Sequence, residues 1–153
     1  MKNKINESKR IRNEFKRIEY KRIILPKLSY QVMGVLFKVQ NKLGSSYQEK
    51  YYQRAIQQEF KIQKIPFERE KQITLTYEGS NIGKYYLDFV IDEKIILEIK
   101  ATPFIRKDWI EQVVAYLVST GLPLGIIVNF RTDKIEYKRI INPNLKDKNI
   151  SSD

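Results

Sequence analysis

The chain has 153 residues, 42% of them hydrophobic, with a formal net charge of +11 and a pI near 9.7. This is enough for one domain with a real core, and no apolar run approaches the ~18 residues of a membrane span. Cysteine and histidine are both absent, which excludes disulfides, Cys/His zinc sites, Ser-His-Asp triads and Cys–His nucleophiles.

Proton transfer is left to carboxylates, lysine, tyrosine or metal-bound water. A metal site must be oxygen-rich, as for Mg²⁺, Mn²⁺ or Ca²⁺. The basic balance favours a polyanionic partner, nucleic acid before an anionic membrane surface. No secretory leader is recognisable at the N-terminus, so a cytoplasmic location is expected.

Residues 1–27 hold +7 of the +11 and read as a basic extension. Ile11, Phe15 and Ile18 form one narrow helical stripe. Lys9, Arg10, Arg12, Lys16, Arg17, Lys21 and Arg22 are candidates for phosphate contacts. A solvated extension without a partner accounts for the same residues. Pro26 is expected to end the segment. A helix follows, capped by Ser29, with Val32, Val35, Leu36, Val39 and Leu43 inward and Gly44 at its end. Ser46 and Glu49 fit a capping box for a second helix reaching about Lys64, before Pro66.

The period then changes. Gln72 to Tyr77 alternates as a strand, and Glu78-Gly79-Ser80-Asn81 reads as a turn. Tyr85 to Ile91 and Lys94 to Lys100 form two buried strands around Asp92-Glu93. A helix is expected over residues 107–119, a buried strand over 124–130 and an edge strand over 134–141. The polar tail, residues 142–153, is expected to fray. The order implies a mixed α/β sheet with helices against it, and a parallel crossover across residues 94–130.

Three charges interrupt the buried strand pair: Asp88, Glu98 and Lys100. Glu98 and Lys100 share a face because they are two apart. Asp88 joins them only if opposed residue numbers sum to 186. A sum of 185 turns it away. A three-residue turn or a bulge is predicted to give the even sum. Converged carboxylates would repel, and a divalent cation would relieve that repulsion. A structural ion pair with Lys100 is the alternative, although buried pairs contribute little net stability.

Asp88, then nine intervening residues, then Glu98-Ile99-Lys100, resembles the core of the PD-(D/E)xK nuclease superfamily. LSYQVMGVLFKVQNKLG, SYQEKYY, IPFEREKQITLTYEG, GKYYLDFV, ILEIKA, EQVVAYL and GLPLGIIVNF, in this order over residues 28–141, resemble its GxxExxY branch. Ser46 replaces the glycine of that branch's name, and Leu87 stands where the superfamily name has proline. The resemblance implies a restriction-endonuclease-like αβββαβ core and Mg²⁺- (or Mn²⁺-) dependent phosphodiester hydrolysis, on DNA more than RNA.

It further implies Asp88, Glu98 and the Ile99 carbonyl as metal ligands and Lys100 as the catalytic lysine. Glu49 matches an extra acidic position near the metal, although the capping box explains it equally well. Gln112, one helical turn before Tyr116, matches a polar position on the following helix, where a solvated glutamine is the plain alternative. A nuclease-like module that binds nucleic acid without cutting it is the second expectation.

Overall fold

The computed structural model describes residues 4–11 and 24–145. Residues 4–11 are helical and exposed, Lys9, Arg10 and Ile11 among them. Arg12, Lys16, Arg17, Lys21, Arg22 and the rest of the apolar stripe lie outside the described residues, as does most of the polar tail.

The remaining elements are α1 (Pro26–Leu43), α2 (Glu49–Ile62), β1 (Phe67–Tyr77), β2 (Ser80–Ile91), β3 (Ile95–Lys100), α3 (Lys107–Thr120), β4 (Leu124–Asn129) and β5 (Glu136–Ile141). They form one five-stranded sheet in the order β1-β2-β3-β4-β5. Only β3 and β4 are parallel, joined by the α3 crossover; the other three pairings are antiparallel. This is the mixed α/β architecture the sequence implies.

The sheet separates two apolar layers. Val32, Leu36, Tyr52, Ile56 and Phe60 of α1 and α2 pack on Phe89, Ile91, Leu97, Ile99, Ile126 and Val128. On the other face, Val113, Tyr116 and Leu117 of α3 cover Leu87, Val90, Ile96 and Ile127. Strands β3 and β4 are covered on both sides, which is why they read as continuous grease.

Contact between α3 and the sheet depends on Gly125. A Cβ there would lie 2.5 Å from Val113 Cγ1 and 3.5 Å from Leu117 Cδ1. Val113 is β-branched and buried, so it has little freedom to give way. We expect Gly125→Ala to cost about 1–3 kcal/mol in urea unfolding, as overpacking does. Val113→Ala in the same chain should recover part of that loss, and strict additivity of the two changes would refute the contact.

Several boundaries differ from the sequence reading. Pro26 opens α1 rather than ending the basic segment. Leu25, in the left-handed region at φ 54°, precedes it, and Ser29 is buried inside the helix instead of capping it. Proline at the first helical position has no intrahelical bond to lose. Strand β1 starts at Phe67, five residues earlier than expected, because the charged stretch Glu68-Arg69-Glu70-Lys71 still pairs with β2. The β1–β2 turn is only Glu78-Gly79, both at positive φ, so Ser80 and Asn81 belong to β2.

The capping box at Ser46 does not form. Helix α2 begins at Glu49 behind an extended Gln48 that caps nothing with its side chain. The tyrosine of the name motif secures the connection instead. Tyr52 Oη donates to the Gly44 carbonyl (2.6 Å) and accepts from the Tyr47 N–H (3.3 Å). Its ring stacks on Phe130 with centroids 4.4 Å apart.

Candidate active site

The turn between β2 and β3 decides whether the three charges meet. Asp92, Glu93 and Lys94 connect the strands, with Asp92 and Glu93 at positive φ and the Lys94 N–H returning to the Ile91 carbonyl (2.9 Å). Phe89 then opposes Leu97, Val90 opposes Ile96 and Ile91 opposes Ile95. These pairs sum to 186, the register that brings Asp88 to Glu98.

The backbone ladder between β2 and β3 ends at Phe89 and Leu97, and carboxylates replace it beyond that point. The Ile99 N–H donates to Asp88 Oδ2 (2.8 Å) and the Asp88 N–H donates to Glu98 Oε1 (3.3 Å). Buried backbone donors need partners, so these two side chains close the gap where the strands separate.

Asp88 also marks a break in β2. Leu87 and Val90 belong to the α3-side core, whereas Phe89 and Ile91 belong to the other. Strict alternation would put Leu87 and Phe89 on one face. On β1 the pairing steps from Arg69 with Phe89 to Lys71 with Leu87, and Glu70 between them sits at φ 50°. The chain therefore twists at Asp88 and sends its carboxyl into the opening beside Glu98.

Glu98 is 3% exposed. Burial and the neighbouring Asp88 charge push its carboxyl up to about 8. Burial also raises Asp88, while the Ile99 N–H and Lys100 oppose the rise. The cause in both is loss of water around a charged form, and for Glu98 a like charge is added. Each would give up its proton readily only with more positive charge at hand.

Lys100 does not supply that charge as an ion pair. The ion pairs among the described residues are Lys38–Glu59, Lys71–Glu68, Lys94–Asp92, Arg106–Asp108 and Lys107–Glu111. Lys100 instead holds its Nζ 4.6 Å from the centroid of Trp109, a cation–π contact. The ion-pair alternative raised by the sequence is therefore not what the structure contains. Lys100 lines a small cleft with Tyr85, Glu98, Trp109, Gln112 and Tyr116.

Gln112 stands at the exposed rim of that cleft and shares it with Tyr116. Tyr116 stacks on Tyr85 (4.3 Å, 24°), and burial, together with the Glu98 charge, raises both phenols. Glu49, half-buried at the start of α2, approaches from the opposite side of the sheet. Burial and then the Asp88 charge raise it, while Lys100 lowers it. Glu49 accepts from Gln53 Nε2 (3.3 Å).

Thus Asp88, Glu98 and the Ile99 backbone are brought together, with Lys100 and Gln112 on one flank and Glu49 on the other. No group of three or more acidic side chains is close enough to hold a metal among the described residues. Asp88 and Glu98 set carboxylate oxygens side by side, and oxygen-only chemistry of this kind suits a hard divalent cation.

Two site residues escaped the sequence reading. Arg69 lies 5.2 Å over the Phe89 ring, donates to Gln57 (2.8 Å) and Gln53 (3.0 Å), and lowers the Asp88 carboxyl. Its Nε is buried without a partner. Its partner Phe89 follows from the β1–β2 register, which the sequence alone did not fix. Asn129, fully buried at the end of β4, accepts from the Thr102 N–H (3.0 Å) and donates to the Thr102 carbonyl (2.8 Å). It pins the loop that leaves Lys100. The only signal for it was an asparagine ending an apolar run.

The PD-(D/E)XK nuclease superfamily profile matches residues 26–140. No curated protein matches the chain. Among solved structures, the crystal structure of SSO0001 is similar in fold, with a TM-score of 0.50 and 21% identity over 66% of this chain and 52% of that one. The chain thus spans about half the length of that protein.

Proposed function

The chain belongs to the PD-(D/E)XK nuclease superfamily, and from that premise we propose that it is a metal-dependent nuclease that hydrolyses phosphodiester bonds of nucleic acid. One observation carries the reading: Asp88 and Glu98 converge at the parting of β2 and β3 while Lys100 stays out of any ion pair with them. The motif glutamate and tyrosine, Glu49 and Tyr52, support placement in the GxxExxY branch. Tyr52 acts as the clamp that sets the start of α2, and Glu49 lies within electrostatic range of Asp88 and Lys100.

Asp88, Glu98 and the Ile99 carbonyl would hold Mg²⁺ or Mn²⁺, with Glu49 as an outer acidic contact. Such an ion, when bound, polarises a phosphoryl oxygen and acidifies water. The chain's own contribution is positional. Asp88 and Glu98 are fixed by backbone donors. Lys100, held on the Trp109 face, can swing its ammonium toward a phosphate oxygen or an attacking water. Gln112 orients the same groups from the rim. The basic extension, from Lys9 and Arg10 through Arg22, supplies phosphate contacts, so binding should weaken steeply with salt. DNA is favoured over RNA as the substrate.

The test is incubation of the chain with single-stranded, duplex and branched DNA and RNA in Mg²⁺, Mn²⁺ or chelator. Cleavage should appear with either metal and vanish in chelator. Retention of full cleavage in chelator would remove the metal from the reading. The absence of a three-carboxylate cluster among the described residues favours a second reading, a nuclease-like module that binds without cutting. It predicts no cleavage under any of these conditions, and equal binding with and without metal.

No helix among the described residues is long and apolar enough to cross a membrane. A cytoplasmic site of action is the reading we adopt.

A further inference from the structure

Tyr47 and Tyr51 stand at the start of α2, on its solvent side. They are 47% and 42% exposed, with ring centroids 6.0 Å apart at 69°. Tyr47 is braced from beneath by Tyr52 (6.2 Å, 88°), itself fully buried and stacked on Phe130. The pair is therefore carried by the core and is not a loose surface feature. Two cations attend it: Lys50 Nζ lies 5.1 Å from the Tyr51 centroid and Arg54 Cζ 5.8 Å.

We propose that the Tyr47–Tyr51 pair, with Lys50 and Arg54, is a stacking platform for an unpaired base, making single-stranded or frayed nucleic acid the preferred substrate class. Two solvent-facing rings set at an angle can receive one base, which takes the place of the Lys50 and Arg54 side chains lying over Tyr51. The neighbouring ammonium and guanidinium suit the phosphates on either side. Every base has a π-face, so such a platform accepts any base and reads no sequence. In a paired duplex those faces are covered, and the platform has nothing to hold.

Position supports the same occupant. Tyr51 shares the first turn of α2 with Glu49, which lies within electrostatic range of Asp88 and Lys100. The inference rests on the nuclease reading only in taking Asp88 and Glu98 as the reaction centre.

The experiment measures binding of the full chain in chelator, by fluorescence anisotropy at low salt. The probes are a labelled single-stranded DNA oligonucleotide, the same strand paired as a blunt duplex, and the same strand with abasic spacers. The intact single strand should bind roughly tenfold more tightly than the other two, since stacking contributes about that much per base. Tyr47→Ala with Tyr51→Ala should erase the preference and leave duplex binding unchanged. Tyr47→Phe with Tyr51→Phe should retain it, because stacking needs the ring and not the hydroxyl. Equal binding of all three probes by the unaltered chain would overturn the proposal, as would a preference that survives the double alanine variant. No cleavage is required, so this result is independent of whether the carboxylate site is active.

Discussion

Glu98→Gln should make the metal-free protein more stable at pH 8 while sharply reducing cleavage. The side chain sits 3% exposed beside Asp88, and its carboxyl is pushed up to about 8. In the unfolded chain the same group titrates in the ordinary carboxylate range, near 4.3. The folded form therefore binds the proton more tightly. The stability this provides is complete below the ordinary range and is lost as pH rises through about 8. Asp88 shifts in the same direction, so the metal-free protein should lose stability as pH rises from the ordinary carboxylate range to about 8.

Glutamine keeps an acceptor for the Asp88 N–H and never ionises. Its variant should show a flatter pH profile and, at pH 8, a gain on the order of 1–3 kcal/mol. Mg²⁺ should raise the melting temperature of the unaltered chain at pH 8 and have much less effect on the variant, because bound metal stabilises the folded form alone. Cleavage should fall by at least about a hundredfold. An unchanged pH slope in Glu98→Gln would show that the buried carboxyl is not the source of the strain.

The sequence made most of this sheet legible. Strands β3 and β4 are covered on both faces, so their apolar runs stand out, and the three-residue turn fixes the register that brings Asp88 to Glu98. Its limits lie where local pattern and tertiary pairing diverge. The first residues of β1 are charged and look like loop, yet they pair with the most buried part of β2. The start of α2 carries a good capping box, yet Tyr52 reaches back to Gly44 and moves the helix start to Glu49. Period-two logic also misses the twist at Asp88, because a break in alternation depends on Glu70 across the strand. The β1 and Asp88 failures involve partners distant in sequence, which no short window contains, whereas Tyr52 reaches back only as far as Gly44.

Lys100 gives the sharpest separation between structure and chemistry. A lysine that stabilised the fold would be paired with the carboxylates beside it, and its removal would leave buried charge uncompensated at a cost of about 3–5 kcal/mol. Lys100 instead sets its ammonium over Trp109 and forms no ion pair, acting on Asp88 and Glu98 only through its field. Lys100→Met keeps the stem and removes the charge. It should leave unfolding free energy within about 1 kcal/mol, the size of a partly exposed cation–π contact, while cleavage falls roughly 10²- to 10³-fold. Trp109 is the one tryptophan in the chain, so loss of the ammonium from its face should shift the intrinsic emission and confirm the contact directly. Lys100→Arg retains charge but replaces a compact ammonium by a planar fork, and should restore the cation–π contact without restoring the rate. A methionine variant that unfolds would make Lys100 structural, and one that cleaves at full rate would remove it from the reaction.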